Sequence, residues 1–218
     1  MNKMKKGSKK GFLTAVCLLA AFVLWTVLVR FVVVERIGPL GSRVGFSALN
    51  GKVHAFTGVN MVLYSVTDWL GLVPVGFALG FGFLGLLQWI KRKRLLNVDR
   101  SILALGVFYI TVMAVYILFE LVVINYRPIL INGVLEASYP SSTTMLTMCI
   151  MPTAIIELKS RIKNRTLRCC TLFAMGVFTV FMVVARFLSG VHWLTDIIGG
   201  ALLSAALVTL FASARANS

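Results

Sequence analysis

With 218 residues, 59% of them hydrophobic, and a mean hydropathy of +0.91, the chain is too apolar for a soluble globular domain, and its apolar runs reach the roughly 20 residues that span a bilayer. The net charge of +15 would suit nucleic acid, but the Lys and Arg residues fall in short blocks between apolar runs, as the positive-inside rule expects, so nucleic-acid binding is set aside. Cys17, Cys149, Cys169 and Cys170 show neither metal spacing nor a disulfide framework, and the acidic residues form no carboxylate cluster for a two-metal site; no metal or cofactor is expected.

The predicted fold is all-α: a polytopic membrane protein forming a single domain over residues 1–218, with six transmembrane helices and an outer-face interfacial helix between the first two. Residues 1–10 read as a basic cytoplasmic tail. The apolar run from Gly11 continues to Val34 without a small-residue cleavage site, so it reads as a retained first span rather than a signal peptide. Arg30 near its outer end is placed to snorkel to the headgroups. In residues 53–70, Phe56, Val59, Leu63, Val66 and Leu70 recur at helical spacing among Asn60, Thr67 and Asp68, which suits a helix lying on the outer interface.

Span two, 71–90, carries Gly76, Gly80 and Gly85, small residues that allow close helix contact. Span three, 101–124, leads to Asn125-Tyr126-Arg127-Pro128, where Pro128 forces an extended Arg127 and ends the helix. Spans four, five and six follow at 141–158, 169–187 and 192–214. The segments assigned to the inside hold sixteen Lys and Arg, against six outside (Arg30, Arg36, Arg43, Lys52, Arg127, Arg186), so both termini are expected in the cytoplasm. The Asn164-Arg165-Thr166 sequon then lies on the wrong side for glycosylation. For the adjacent Cys169 and Cys170 burial is expected over the alternative of acylation, Trp69 and Trp193 fit an outer aromatic belt, and Trp89 fits an inner one.

Under this topology three separate loops bring Arg127, the Pro140-Ser141-Ser142-Thr143-Thr144 segment, Arg186, His192 and Asp196 to the outer face. Ionisable groups at membrane depth are costly and by default mark function. If the last helix starts near Val191, His192 and Asp196 sit at i and i+4 on one face, so the carboxylate can hold one imidazole nitrogen and leave the other free. Arg186 can bind an oxyanion through two nitrogens, and the set suggests attack on a phosphoryl centre. The competing structural reading has the arginines snorkelling and His192 and Asp196 capping the helix. His54 reads as a headgroup-level contact, and Glu157 as a local partner of the basic inner loop.

Arg127-Pro128, Tyr139-Pro140-Ser141-Ser142 and Arg186-x5-His192-x3-Asp196 together resemble the three-part signature of the type 2 phosphatidic acid phosphatase (PAP2) superfamily, over roughly residues 50–212. The resemblance implies a six-helix fold and a phosphohistidine mechanism. His192 would attack phosphorus and Asp196 would orient and charge-stabilise it. Arg127, Arg186, Ser141, Ser142 and the Thr143 region would hold the phosphate oxygens.

Three positions depart from the family pattern. Glu120 stands where the first motif usually has Lys, Thr143 where the second usually has the His that protonates the leaving group, and Ala185 where the third commonly has Ser. Glu120 is expected to pair with Arg127 rather than act in catalysis. The implied function is hydrolysis of a lipid phosphate or diphosphate, a prenyl diphosphate such as undecaprenyl diphosphate being favoured, at the outer face of the cytoplasmic membrane. The alternative is a non-catalytic relative that binds or transports lipid phosphates.

Overall fold

A computed structural model describes residues 6–216. It contains eight α-helices: α1 (Lys6–Phe31), α2 (Ser47–Thr57), α3 (Met61–Leu70), α4 (Leu72–Arg92), α5 (Arg100–Leu121), α6 (Ser142–Arg161), α7 (Arg165–Leu188) and α8 (Leu194–Arg215). No strand occurs among the described residues, only isolated bridges in loops. The first five residues of the expected tail lie outside the described residues, and Lys6–Lys10 already form the first turns of α1.

Five stretches are long and apolar enough to cross a membrane: Gly7–Phe31, Met61–Arg92, Arg100–Leu121, Arg165–Leu188 and Leu194–Arg215. In lipid, a helix is the way a single segment satisfies its own backbone donors and acceptors, which is why β-branched runs such as those of α7 stay helical here. The expected fourth span, α6, is long enough at 20 residues but is not among these five. It packs against α4, α5, α7 and α8, and its buried Thr144, Thr147, Thr153 and Glu157 face protein. A helix sheathed by other helices does not need a lipid-facing apolar surface.

The stretch expected to form one interfacial helix is divided. Gly58, at φ 61°, ends α2. Asn60 then caps α3, its Oδ1 accepting from the Leu63 amide at 2.9 Å. Gly71 keeps helical dihedrals (φ −58°, ψ −20°), so α3 runs on into α4 instead of turning at a surface.

Helix α1 lies antiparallel along α8. Ser8 Oγ donates to the Ser213 carbonyl at 2.8 Å near one end, and Trp25 Nε1 donates to the Thr195 carbonyl at 3.1 Å near the other. Between them, Phe22 stacks on Tyr139, and Phe119 meets both rings edge-on. Gly199 allows this packing, because a Cβ there would fall 2.5 Å from the Tyr139 ring. The C-terminal ends of α1, α5 and α7 therefore meet the N-terminal ends of α3, α6 and α8 at one end of the bundle.

Candidate active site

The loop from 122 to 141 folds back on itself. Asn132 and Gly133 both have positive φ (50° and 79°), and Ile131 and Val134 exchange two backbone hydrogen bonds around them, a tight hairpin tip of the kind Asn-Gly favours. Farther down, the Arg127 amide donates to the Glu136 carbonyl at 3.0 Å and the Ser138 amide to the Asn125 carbonyl at 3.0 Å. Arg127 thus sits opposite Glu136, and its Nε lies 3.0 Å from the Glu136 carboxylate. This overturns the expected pairing of Arg127 with Glu120. Glu120 instead lines a small pocket with Ser138, Tyr139, Pro140, Ser142 and His192.

His192 is not on the last helix. Gly190, at φ 68°, makes a turn in which a Cβ would fall 1.8 Å from the Gly58 carbonyl oxygen, and α8 begins only at Leu194. The predicted i, i+4 hydrogen bond therefore does not form: His192 Nδ1 lies 3.8 Å from Asp196 Oδ2. Nδ1 is 3.1 Å from the Ser138 carbonyl oxygen. A carbonyl can only accept, so Nδ1 carries the proton and Nε2 keeps its lone pair.

Asp196 holds the frame instead. One oxygen accepts from Ser138 Oγ at 2.7 Å and from the Trp193 amide at 3.0 Å, and the other accepts from Asn125 Nδ2 at 3.3 Å. Its own carbonyl accepts from the Ser141 amide at 3.1 Å. Asp196 thus ties together the hairpin and the start of α8 through its carboxylate and the start of α6 through its carbonyl, and Ser138 links it to the histidine.

Arg186 is 1% exposed, so it does not snorkel. Three residues on one face of α3 hold it. Its guanidinium lies 4.7 Å from the Tyr64 ring centroid, Nη1 donates to Thr67 Oγ1 at 3.2 Å, and Nη2 is 3.9 Å from Asp68 Oδ1. Arg127 lies over the same ring at 5.9 Å. Sequence reading assigned Tyr64, Thr67 and Asp68 no role in the site, although their i, i+3, i+4 spacing marks a polar face on an apolar helix.

Several buried atoms here have no hydrogen-bond partner: His192 Nε2, Arg127 Nη1, Arg186 Nε, Ser141 Oγ and Thr144 Oγ1. Buried polar groups are normally satisfied, so such a set of mostly donors is informative. Ser141 stands at the N-cap position of α6 without a side-chain cap hydrogen bond, and the first-turn amides of that helix add anion-binding capacity. Ser142 lines the His192 pocket, whereas Thr143 is not among its lining residues. Burial, reinforced by the charges of Arg127 and Arg186, holds the His192 pKa well below its ordinary value and keeps the ring neutral. Among the described residues no group of three or more His, Cys, Asp or Glu side chains is arranged to hold a metal.

Three outlying residues behave differently from expectation. Trp193 is 4% exposed, donates to the Tyr126 carbonyl at 2.7 Å and stands 5.3 Å from the His54 ring, so it belongs to the packed frame and not to an aromatic belt. Cys169 and Cys170 are exposed rather than buried.

No protein of curated function matches the chain. The fold is similar to the crystal structure of a transmembrane PAP2-type phosphatidylglycerolphosphate phosphatase from Bacillus subtilis, with a TM-score of 0.54 and 20% sequence identity over 92% of this chain and 94% of that one. With five apolar helices of spanning length, this makes the chain a multi-pass membrane protein. The family model of the PAP2 superfamily matches residues 108–218, half of the chain including all three motifs, and the protein belongs to that superfamily.

Proposed function

We propose that this protein is a lipid phosphate or diphosphate phosphatase working through a phosphohistidine at the outer face of the cytoplasmic membrane, with α6 as a sixth crossing, both termini inside and the whole chain forming one domain. The observation that carries this is His192 Nε2, a buried nitrogen with a free lone pair and no partner, whose ring is fixed from behind by Ser138. Nε2 attacks phosphorus and the P–O bond to the lipid breaks, its electron pair leaving with the lipid oxygen. The unpartnered nitrogens of Arg127 and Arg186, with Ser141, Ser142 and the first amides of α6, hold the charge that grows on the remaining phosphate oxygens. Water then attacks the phosphohistidine, the P–N bond breaks, and inorganic phosphate leaves. Asp196, at 3.8 Å, acts on the imidazolium by charge and by holding Ser138.

The substrate class follows from the leaving group. A lipid monoester releases an alkoxide, for which a positioned acid is typically worth ~10²- to 10⁴-fold. Thr143, a neutral hydroxyl, is a poor acid. A diphosphate releases a phosphate that needs no proton, so a prenyl diphosphate is favoured, undecaprenyl diphosphate being the natural candidate. Phosphate release should be measured on the mono- and diphosphate of one prenol, with and without vanadate. Vanadate-sensitive release with a diphosphate preference that Thr143→His narrows is the expected result. Equal kcat/KM on both, unchanged by Thr143→His, would move the acid role to Glu120. Saturable binding without release would identify the protein as a non-catalytic binder or carrier of lipid phosphates.

A further inference from the structure

A second basic feature lies at the same end of the bundle, outside the His192 pocket. Arg30 ends α1, and Arg43 lies in the following loop. That loop doubles back through the antiparallel pair Glu35 and Val44 (N to O 3.2 and 2.9 Å) and closes onto α1 at Gly45, where a Cβ would fall 1.7 Å from the Val29 carbonyl oxygen. Any other residue would push the loop away. The close approach puts Arg43 and Arg30, both exposed, on the wall of one cavity of about 280 Å³ that Val29, Val34, Ile124 and Asn125 also line.

Neither Arg30 nor Arg43 has an ion-pair partner among the described residues, whereas Arg127 and Arg186 do. Two like charges on one cavity repel, and an anion between them reverses the sign of that interaction. The cavity is also amphiphilic, with guanidiniums together with apolar side chains. Its volume admits a phosphate headgroup and the first atoms of a chain, not a whole lipid. It shares no lining residue with the His192 pocket. Asn125 belongs to its wall and donates to Asp196, so the cavity backs onto the far side of the carboxylate that frames the histidine.

We propose that Arg30 and Arg43 form a phosphate-group site, distinct from the substrate pocket, that takes the headgroup of an anionic membrane lipid or free phosphate. The test uses the full chain in bilayer discs. Retention of phosphatidylglycerol against phosphatidylcholine is read by native mass spectrometry, and the response of Tm to inorganic phosphate is read separately in neutral lipid. A Lys or Arg near an anionic surface contributes enough for about a 5-fold change in retention, so R30Q/R43Q should lower phosphatidylglycerol retention by ~25-fold. R30K/R43K should keep most of it, and R36Q, at an equally exposed arginine that does not line the cavity, should change little. A lipid-only response dependent on Arg30 and Arg43 identifies a headgroup site, and an equally dependent response to inorganic phosphate identifies a free-anion site. Unchanged responses of both kinds in R30Q/R43Q, or an equal loss in R36Q, would overturn the proposal.

Discussion

Two buried polar clusters sit at opposite ends of the same two helices. At the starts of α6 and α8 are Ser141, Asp196 and, just before α8, His192; at their far ends are Glu157 and Arg215. Glu157 is 0% exposed, yet it is ion-paired to Arg215 and to Arg161 at 3.4 Å. Arg161 continues to Asp99 at 3.6 Å, which also holds Arg92 at 3.0 Å and accepts from Gln88 at 2.8 Å. This cluster closes on itself. The other leaves His192 Nε2 and two arginine nitrogens open. Burial of charge alone does not tell the two clusters apart; the charged and imidazole nitrogens left without partners do.

The largest effect expected from breaking this contrast is at the open cluster. His192→Ala should reduce phosphate release by more than ~10³-fold, since it removes the group that forms the covalent bond. Near-normal release by that variant would end the phosphohistidine reading. Arg186→Lys comes next, at about 10²- to 10³-fold, because an ammonium cannot reach Thr67, Asp68 and the phosphate together as the planar fork does. A loss confined to KM would show that Arg186 only binds substrate.

The closed cluster should respond in stability instead. Glu157→Ala strands Arg215 and leaves Asp99 as the ion-pair partner of Arg161, and because both arginines are partly exposed the cost should be about 1–3 kcal/mol, less than for a fully buried pair. Activity per folded molecule should hold. A large fall in kcat at unchanged Tm would mean the two ends are coupled and the contrast is wrong.

The smallest effect concerns pH. Because burial and the neighbouring arginines lower the His192 pKa, the neutral nucleophile persists as pH falls through 6.5. The acid limb of kcat/KM should therefore lie below pH 6.5. Arg127→Gln removes one of the two positive charges and should move that limb upward, toward 6.5. A limb at or above 6.5 in the unaltered protein would show that His192 is not held neutral by its surroundings.

Arg186, His192 and Asp196 were legible in the sequence because they are ionisable groups in an apolar run, and the apolar helices because their length and composition permit little else. The geometry between motifs was not. The helix of His192 and Asp196 was read three residues too long, since Val191 and Trp193 look helical by hydropathy and only the turn at Gly190, fitted against Gly58, delays its start. Glu120 looked like the partner of Arg127 because the hairpin was not foreseen. The Asn132-Gly133 pair announces such a return, though not that its register sets Arg127 against Glu136. Helix α6 was read as a span at 141–158, but not as the helix that α4, α5, α7 and α8 pack against, because hydropathy measures contact with lipid and α6 makes little of it.

The antiparallel pairing of α1 with α8 has a consequence in time. A chain made from its N-terminus releases α1 into the membrane first and α8 last, so α1 waits through nearly the whole of synthesis for the neighbour that holds Ser8 and Trp25. The carbonyl of Gly58 likewise waits for the turn at Gly190. Nascent chains that stop before Gly190 carry Arg127 and Ser141 but neither His192 nor Asp196, and interrupted synthesis leaves fragments in the membrane that lack half of the polar cluster.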